Sequence, residues 1–139
     1  KGYVPVLLVV IYGPAHGLGE GTAALVGLAA FLGHLWPVFF RFQGGKGVAT
    51  AAGVVFGLNP LLGLAVLASF ALVVGFTRYV SLASMVAAVF AAFYQALIWG
   101  LSPAVWALLV MAALLVWRHK ANIERLLAGT ESKLGAKKS

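Results

Sequence analysis

The chain has 139 residues, of which 63% are hydrophobic and 9% charged, with a formal net charge of +7. A soluble domain is about 45–50% apolar and about 25% charged, and a chain this short encloses too little interior to hide the excess. A soluble globule and a disordered chain are therefore excluded, leaving an integral membrane protein of a single domain. The absence of cysteine excludes disulfides, thiolate metal sites and a Cys nucleophile. Aspartate is also absent, so Glu20, Glu124 and Glu131 are the only side-chain carboxylates. Most two-carboxylate acid–base schemes and metal cages fall with it, and neither metal nor cofactor is expected.

An apolar stretch follows Lys1 directly, and the remainder is apolar too, unlike the soluble remainder behind a signal peptide. Lys1 is accordingly read as an internal start, with an N-terminal part of the same protein preceding it.

Residues 2–15 are apolar and end at Gly13-Pro14. A Gly-rich stretch holding Glu20 follows, and residues 21–40 then carry no formal charge over 20 positions, enough for a helix to cross a bilayer of about 30 Å. Next comes the basic, Gly-rich run Arg41 to Gly47. Uncharged residues 47–77 are interrupted by Asn59-Pro60, a helix cap with proline at the first helical position. Uncharged residues 79–117 are interrupted by Gly100 and Ser102-Pro103, a signal of the same kind. From Arg118 onward the chain is polar, with six basic and two acidic residues.

These breaks predict an all-α bundle of about six spans, at 2–15, 21–40, 47–58, 60–77, 80–100 and 103–117, with a C-terminal interfacial helix in the polar tail 118–139. The third span, about 12 residues, is a half-span or extends into the glycine run. Alternating connections place Lys1, Arg41, Lys46, Arg78 and the tail on one face, and His16, Glu20, Asn59 and Ser102 on the other. All ten Lys and Arg fall on the first face, which the positive-inside rule makes cytoplasmic. No nucleic-acid partner is expected, because no basic surface with interleaved aromatics remains outside the spans. Trp36, Tyr79, Trp99 and Trp117 fall near span ends as an aromatic belt would, and Gly53, Gly57 and Gly63 suit close helix packing.

Two stretches carry chemistry. In Gly44-Gly45-Lys46-Gly47-Val48-Ala49-Thr50, glycines let backbone N–H groups approach a ligand just before a helix begins, and Lys46 adds a full positive charge. That is the physics of a phosphate cradle, although it lacks the Walker A spacing. A turn bearing one topogenic lysine is the alternative. In the second stretch, Arg118 to Glu131, Ile123, Leu126 and Leu127 recur at helical spacing, and His119 and Asn122 share a helix face. They face a polar ligand with Arg118 or Arg125 nearby, or the helix simply rests on anionic lipid. The topology brings both stretches to one face, where they form an anion-binding set without a carboxylate base. His34, beside Trp36 and Pro37, is read as a supporting residue at a helix end rather than a reacting one.

The two stretches together resemble the second and third signatures of the bacterial acyl-phosphate-dependent glycerol-3-phosphate acyltransferases, the PlsY family. Gly33-His34-Leu35-Trp36-Pro37-Val38-Phe39 is similar to the same family. The resemblance implies a seven-span bundle in the full-length form, in a bacterial inner membrane with its site facing the cytoplasm. It implies transfer of a fatty acyl group from acyl phosphate to the 1-hydroxyl of glycerol 3-phosphate, giving lysophosphatidic acid and phosphate for phospholipid synthesis. Carried over by position, Gly44, Gly45, Lys46 and Gly47 bind phosphate oxygens, with Thr50 and Arg118 beside them. His119 and Asn122 position the substrate and the reacting centre, and Glu131 and His34 support them. The donor arrives activated, so a substrate phosphate is expected to accept the hydroxyl proton. The family's first signature, a Gly-Asn-Pro-Gly-Ala-Thr-Asn type loop, is absent and is expected before Lys1, so this chain alone is expected to be inactive. An anion transporter or channel subunit, and another membrane lipid transferase with a phosphate-bearing donor, are the alternative functions.

Overall fold

The computed structural model describes residues 2–36 and 47–135. Their order is α1 (Tyr3–Tyr12), a 3-10 turn (Gly13–His16), α2 (Glu20–Leu35), α3 (Val48–Leu58), α4 (Pro60–Thr77), α5 (Val80–Trp99), α6 (Pro103–Arg118) and α7 (Lys120–Ala128). No strand occurs among the described residues. Backbone groups in lipid must be satisfied within their own segment, which an apolar sequence of this kind achieves only as helix.

Punctuation residues start the helices, though not all in the expected way. Asn59 Oδ1 accepts from the N–H groups of Leu61 at 3.0 Å and Leu62 at 3.4 Å, and Pro60 opens α4. Ser102 precedes Pro103 at the start of α6 but does not cap it. Its hydroxyl donates instead to Glu20 Oε1 at 2.9 Å, and Gln95 Nε2 reaches the same oxygen at 3.5 Å. One carboxylate thus ties the start of α2 to the end of α5 and the start of α6.

Helices α4 and α5 are long and apolar enough to cross a membrane. The α3 helix has 11 residues, about 16 Å at 1.5 Å per residue and roughly half a bilayer. Helices α1, α2 and α3 pack on one another, α4, α5 and α6 form a second group, and α2–α6 and α3–α4 contacts join the two. The shared core contains Val6, Phe31, Leu35, Val54, Leu62, Met111 and Leu115.

Small residues set how closely the first group packs. A Cβ at Gly57 would lie 3.0 Å from Val6 side-chain atoms, and one at Gly27 would lie 2.5 Å from Val54 Cγ1. Gly53 meets the backbone of Tyr3, and Gly63 meets the Phe56 ring, as their spacing suggested. Trp36 and Trp117 meet with ring centroids 6.0 Å apart and planes tilted by 38°, joining the end of α2 to that of α6.

The connections gather at two ends of the bundle. The start of α3, the α4–α5 turn and the α6–α7 junction share one end. The 3-10 turn, Glu20, Asn59 and Trp99 surround a cavity of about 300 Å³ at the other. Between α6 and α7 the axis bends by 58°. That bend turns the last helix aside and leaves His119 at the corner. Ile123 and Leu126 pack against the core as their spacing predicts, whereas Leu127 points outward at 85% exposed.

Candidate functional site

A cavity of about 490 Å³ opens at the first of these ends. Helix α3 brings Val48, α5 brings Val80, Ser81 and Ser84, the bend brings His119 and Asn122, and the segment after α7 closes the outer side.

His119 is 2% exposed, and its Nδ1 lies 2.7 Å from the Leu115 carbonyl oxygen one turn earlier. A carbonyl only accepts, so Nδ1 carries a proton, and whenever the ring is neutral Nε2 is the nitrogen without one. Asn122 Nδ2 donates to Glu131 Oε2 at 3.0 Å. A carboxylate likewise only accepts, which fixes which end of the Asn122 amide faces it. Glu131 is also held by the Ser132 N–H at 3.2 Å and by Arg125 Nε at 3.5 Å. Burial pushes the Glu131 carboxyl up, but the Asn122 hydrogen bond, the charge of Arg125 and the Ser132 N–H outweigh it and hold the carboxyl below its ordinary value.

The structure thus brings together His119, Asn122 and Glu131, three of the residues read from the sequence. Gly47 stands at the start of α3 with φ of 84°, and a side chain there would strike the Phe31 ring. Its requirement for glycine is therefore met by backbone conformation and packing. Thr50 is buried in the first turn of α3, its backbone carbonyl lies beside Gly2, and it is not among the residues lining the cavity. Arg118 is half-buried in the last turn of α6, next to the cavity residue His119. His34 is half-buried in the last turn of α2. Gly44, Gly45 and Lys46 lie outside the described residues.

Sequence reasoning missed Ser81, Ser84 and Lys133 on the cavity wall. Among the described residues the buried Ser81 hydroxyl has no hydrogen-bond partner, whereas that of Ser84 donates to the Val80 carbonyl at 2.8 Å. Two hydroxyls three residues apart at the start of an apolar span were the available signal. An orphaned buried hydroxyl costs free energy, and a ligand oxygen would satisfy it.

A second, apolar groove of about 320 Å³ runs between α3, α4 and α5, lined by Ala52, Phe56, Leu67, Phe70 and Ala88 among others. It shares Val48 and Ser84 with the polar cavity. Chemically, the pair accommodates a ligand with an anionic, hydrogen-bonding end and an apolar end.

Fold and site define an all-α integral membrane protein with a polar cavity beside an apolar groove. Residues 1–129 match the family model for glycerol-3-phosphate acyltransferase. The chain belongs to that family. It is 53% identical over 138 residues to the glycerol-3-phosphate acyltransferase of Paraburkholderia phytofirmans, covering 99% of this chain and 64% of the relative. It is 56% identical over 142 residues to that of Albidiferax ferrireducens, covering 99% and 63%. The chain therefore spans less than two thirds of the length of these relatives. Crystal structures of PlsY (YgiH), an integral membrane glycerol 3-phosphate acyltransferase, superpose at 39% identity. The glycerol 3-phosphate form gives a TM-score of 0.88 over 96% of this chain and 66% of that one. The lysophosphatidic acid form gives 0.87 over 96% and 67%.

Proposed function

We propose that the protein transfers a fatty acyl group from acyl phosphate to the 1-hydroxyl of glycerol 3-phosphate. The observation that carries this reading is a polar cavity lined by His119, Asn122 and Ser81 beside an apolar groove, the two sharing Val48 and Ser84 in their walls. Both substrates and the lysophosphatidic acid product are phosphate-bearing, and donor and product also carry an acyl chain. Family membership and the glycerol 3-phosphate named for a PlsY neighbour support the same substrate.

In this reaction the hydroxyl oxygen attacks the acyl carbon, a new C–O ester bond forms, and the acyl–phosphate C–O bond breaks. The hydroxyl proton leaves on phosphate, so atoms balance without a covalent enzyme intermediate. The chain's own work is binding, orientation and charge stabilisation. Ser81, the Asn122 amide and Lys133 hydrogen-bond and neutralise phosphate oxygens, and His119 Nε2 orients the attacking hydroxyl. The glycine run with Lys46, which precedes α3 in the sequence, is assigned the remaining phosphate contacts on its residue types alone. Membrane embedding of the six helical stretches, with α3 as a half-span or extended into the glycine run, and a bacterial inner membrane with the cavity facing the cytoplasm, complete the reading. The one-sided distribution of Lys and Arg supports the orientation.

The test is conversion of labelled glycerol 3-phosphate to lysophosphatidic acid by the full-length protein in membranes supplied with palmitoyl phosphate. Product that appears equally with palmitoyl-CoA alone would sink the acyl-phosphate assignment. Phosphate uptake into proteoliposomes without acyl transfer would favour a transporter.

A further inference from the structure

Arg78 occupies the turn between α4 and α5, and among the described residues it is the one non-glycine with positive φ, at 63°. A left-handed conformation costs an L-residue about 1–2 kcal/mol. A side chain retained there despite that cost needs a reason. The C-terminal segment supplies it. After α7, Gly129 adopts the left-handed conformation at φ of 74° and reverses the chain. Residues 131–135 then run back across the α4–α5 turn. Leu134 N–H donates to the Arg78 carbonyl at 2.7 Å. The Arg78 guanidinium donates twice to the Leu134 carbonyl, from Nε at 3.0 Å and Nη2 at 2.6 Å. Lys133 Nζ lies 5.7 Å from the Tyr79 ring centroid. Both backbone groups of Leu134 are thereby committed to one residue 56 positions earlier.

The segment so held is the outer wall of the cavity, from Glu131 to Gly135. It also carries the carboxylate that orients Asn122. We propose that Arg78 is a positioning residue, which latches residues 131–135 over the cavity and so holds Glu131 on Asn122 and Lys133 at the phosphate end of the site. The effect on catalysis rests on the acyltransferase reading, whereas the latch itself does not.

Arg78→Gly is the informative variant, because glycine accepts the positive φ and only the guanidinium is lost. In the full-length protein, trypsin cleaves after Lys133 slowly in the wild type, because the next residue's N–H and carbonyl are both hydrogen-bonded. Cleavage followed by mass spectrometry accelerates about tenfold or more in Arg78→Gly, with thermal unfolding within a few degrees of wild type. Arg78→Lys, which retains the charge without the two-pronged contact, falls between them. The KM for glycerol 3-phosphate rises about tenfold in Arg78→Gly while kcat changes less. Equal cleavage rates in wild type and Arg78→Gly would overturn the latch. Faster cleavage with unchanged KM would overturn the positioning role. A wild type without acyl transfer overturns the functional reading and the positioning role with it, and the cleavage comparison, which needs no turnover, then decides the latch alone.

Discussion

The helix α6 decides which nitrogen of His119 is basic. By accepting from Nδ1, the Leu115 carbonyl keeps a proton there, so that whenever the ring is neutral its lone pair is on Nε2. If that nitrogen orients a hydroxyl whose proton goes to phosphate, His119→Ala lowers kcat/KM for glycerol 3-phosphate by about 100-fold or more, with the loss shared between KM and kcat. A loss confined to kcat, with both substrate affinities intact, would mark His119 as the proton acceptor instead. Glu131 offers a test independent of turnover. Its carboxyl titrates below its ordinary value when folded, so the ionised form stabilises the fold at neutral pH. That stability is present above the ordinary glutamate range and is lost as pH falls through the lowered folded value. Because the partner Arg125 is 44% exposed, the size is about 1 kcal/mol or less. Thermal unfolding of wild type and Glu131→Gln at pH 7 and in the acid range checks the sign. The variant should lose the part of the acid sensitivity that this carboxyl contributes, and parallel curves would contradict it.

At the scale of elements, the first three helices approach closely because glycines remove side chains where they meet. Gly27→Val inserts atoms where even a Cβ would lie 2.5 Å from Val54 Cγ1, and overpacking of this kind costs about 1–3 kcal/mol. Gly75 on α4 is exposed, and a Cβ there would meet no heavy atom within 4 Å. Gly75→Ala should therefore be neutral, or stabilising by up to about 1 kcal/mol from helix propensity. Thermal unfolding in detergent compares the two. Equal sensitivity at both positions would show that packing between α2 and α3 is not what Gly27 protects.

At the scale of the whole molecule, the polar cavity and the apolar groove lie side by side and share Val48 and Ser84, so the proposed reaction places the acyl chain in the groove. Narrowing the groove should then shorten the acyl chain that the site accepts without touching the polar end. Ala88→Phe on the groove wall is expected to lower kcat/KM for palmitoyl phosphate by about tenfold more than for octanoyl phosphate. KM for glycerol 3-phosphate should stay near wild type. An equal loss with both donors would indicate that the chain lies elsewhere.

The sequence by itself determined the membrane class, because too few polar atoms exist to cover a soluble surface. It also determined where helices begin, because Asn59-Pro60 and Pro103 act locally. His119 and Asn122 were legible as a pair because three residues along a helix is a local spacing. What depended on distant segments was not legible. The Ser102 hydroxyl reads as a cap until α2 brings Glu20 to it. Ser81 reads as a small residue in an apolar run until the α6–α7 bend makes it a cavity wall. Arg78 reads as a topogenic charge until the tail folds back onto it. Hydropathy, caps and spacing are properties of neighbours in the chain, whereas the partner of a buried polar atom is decided only when remote helices pack.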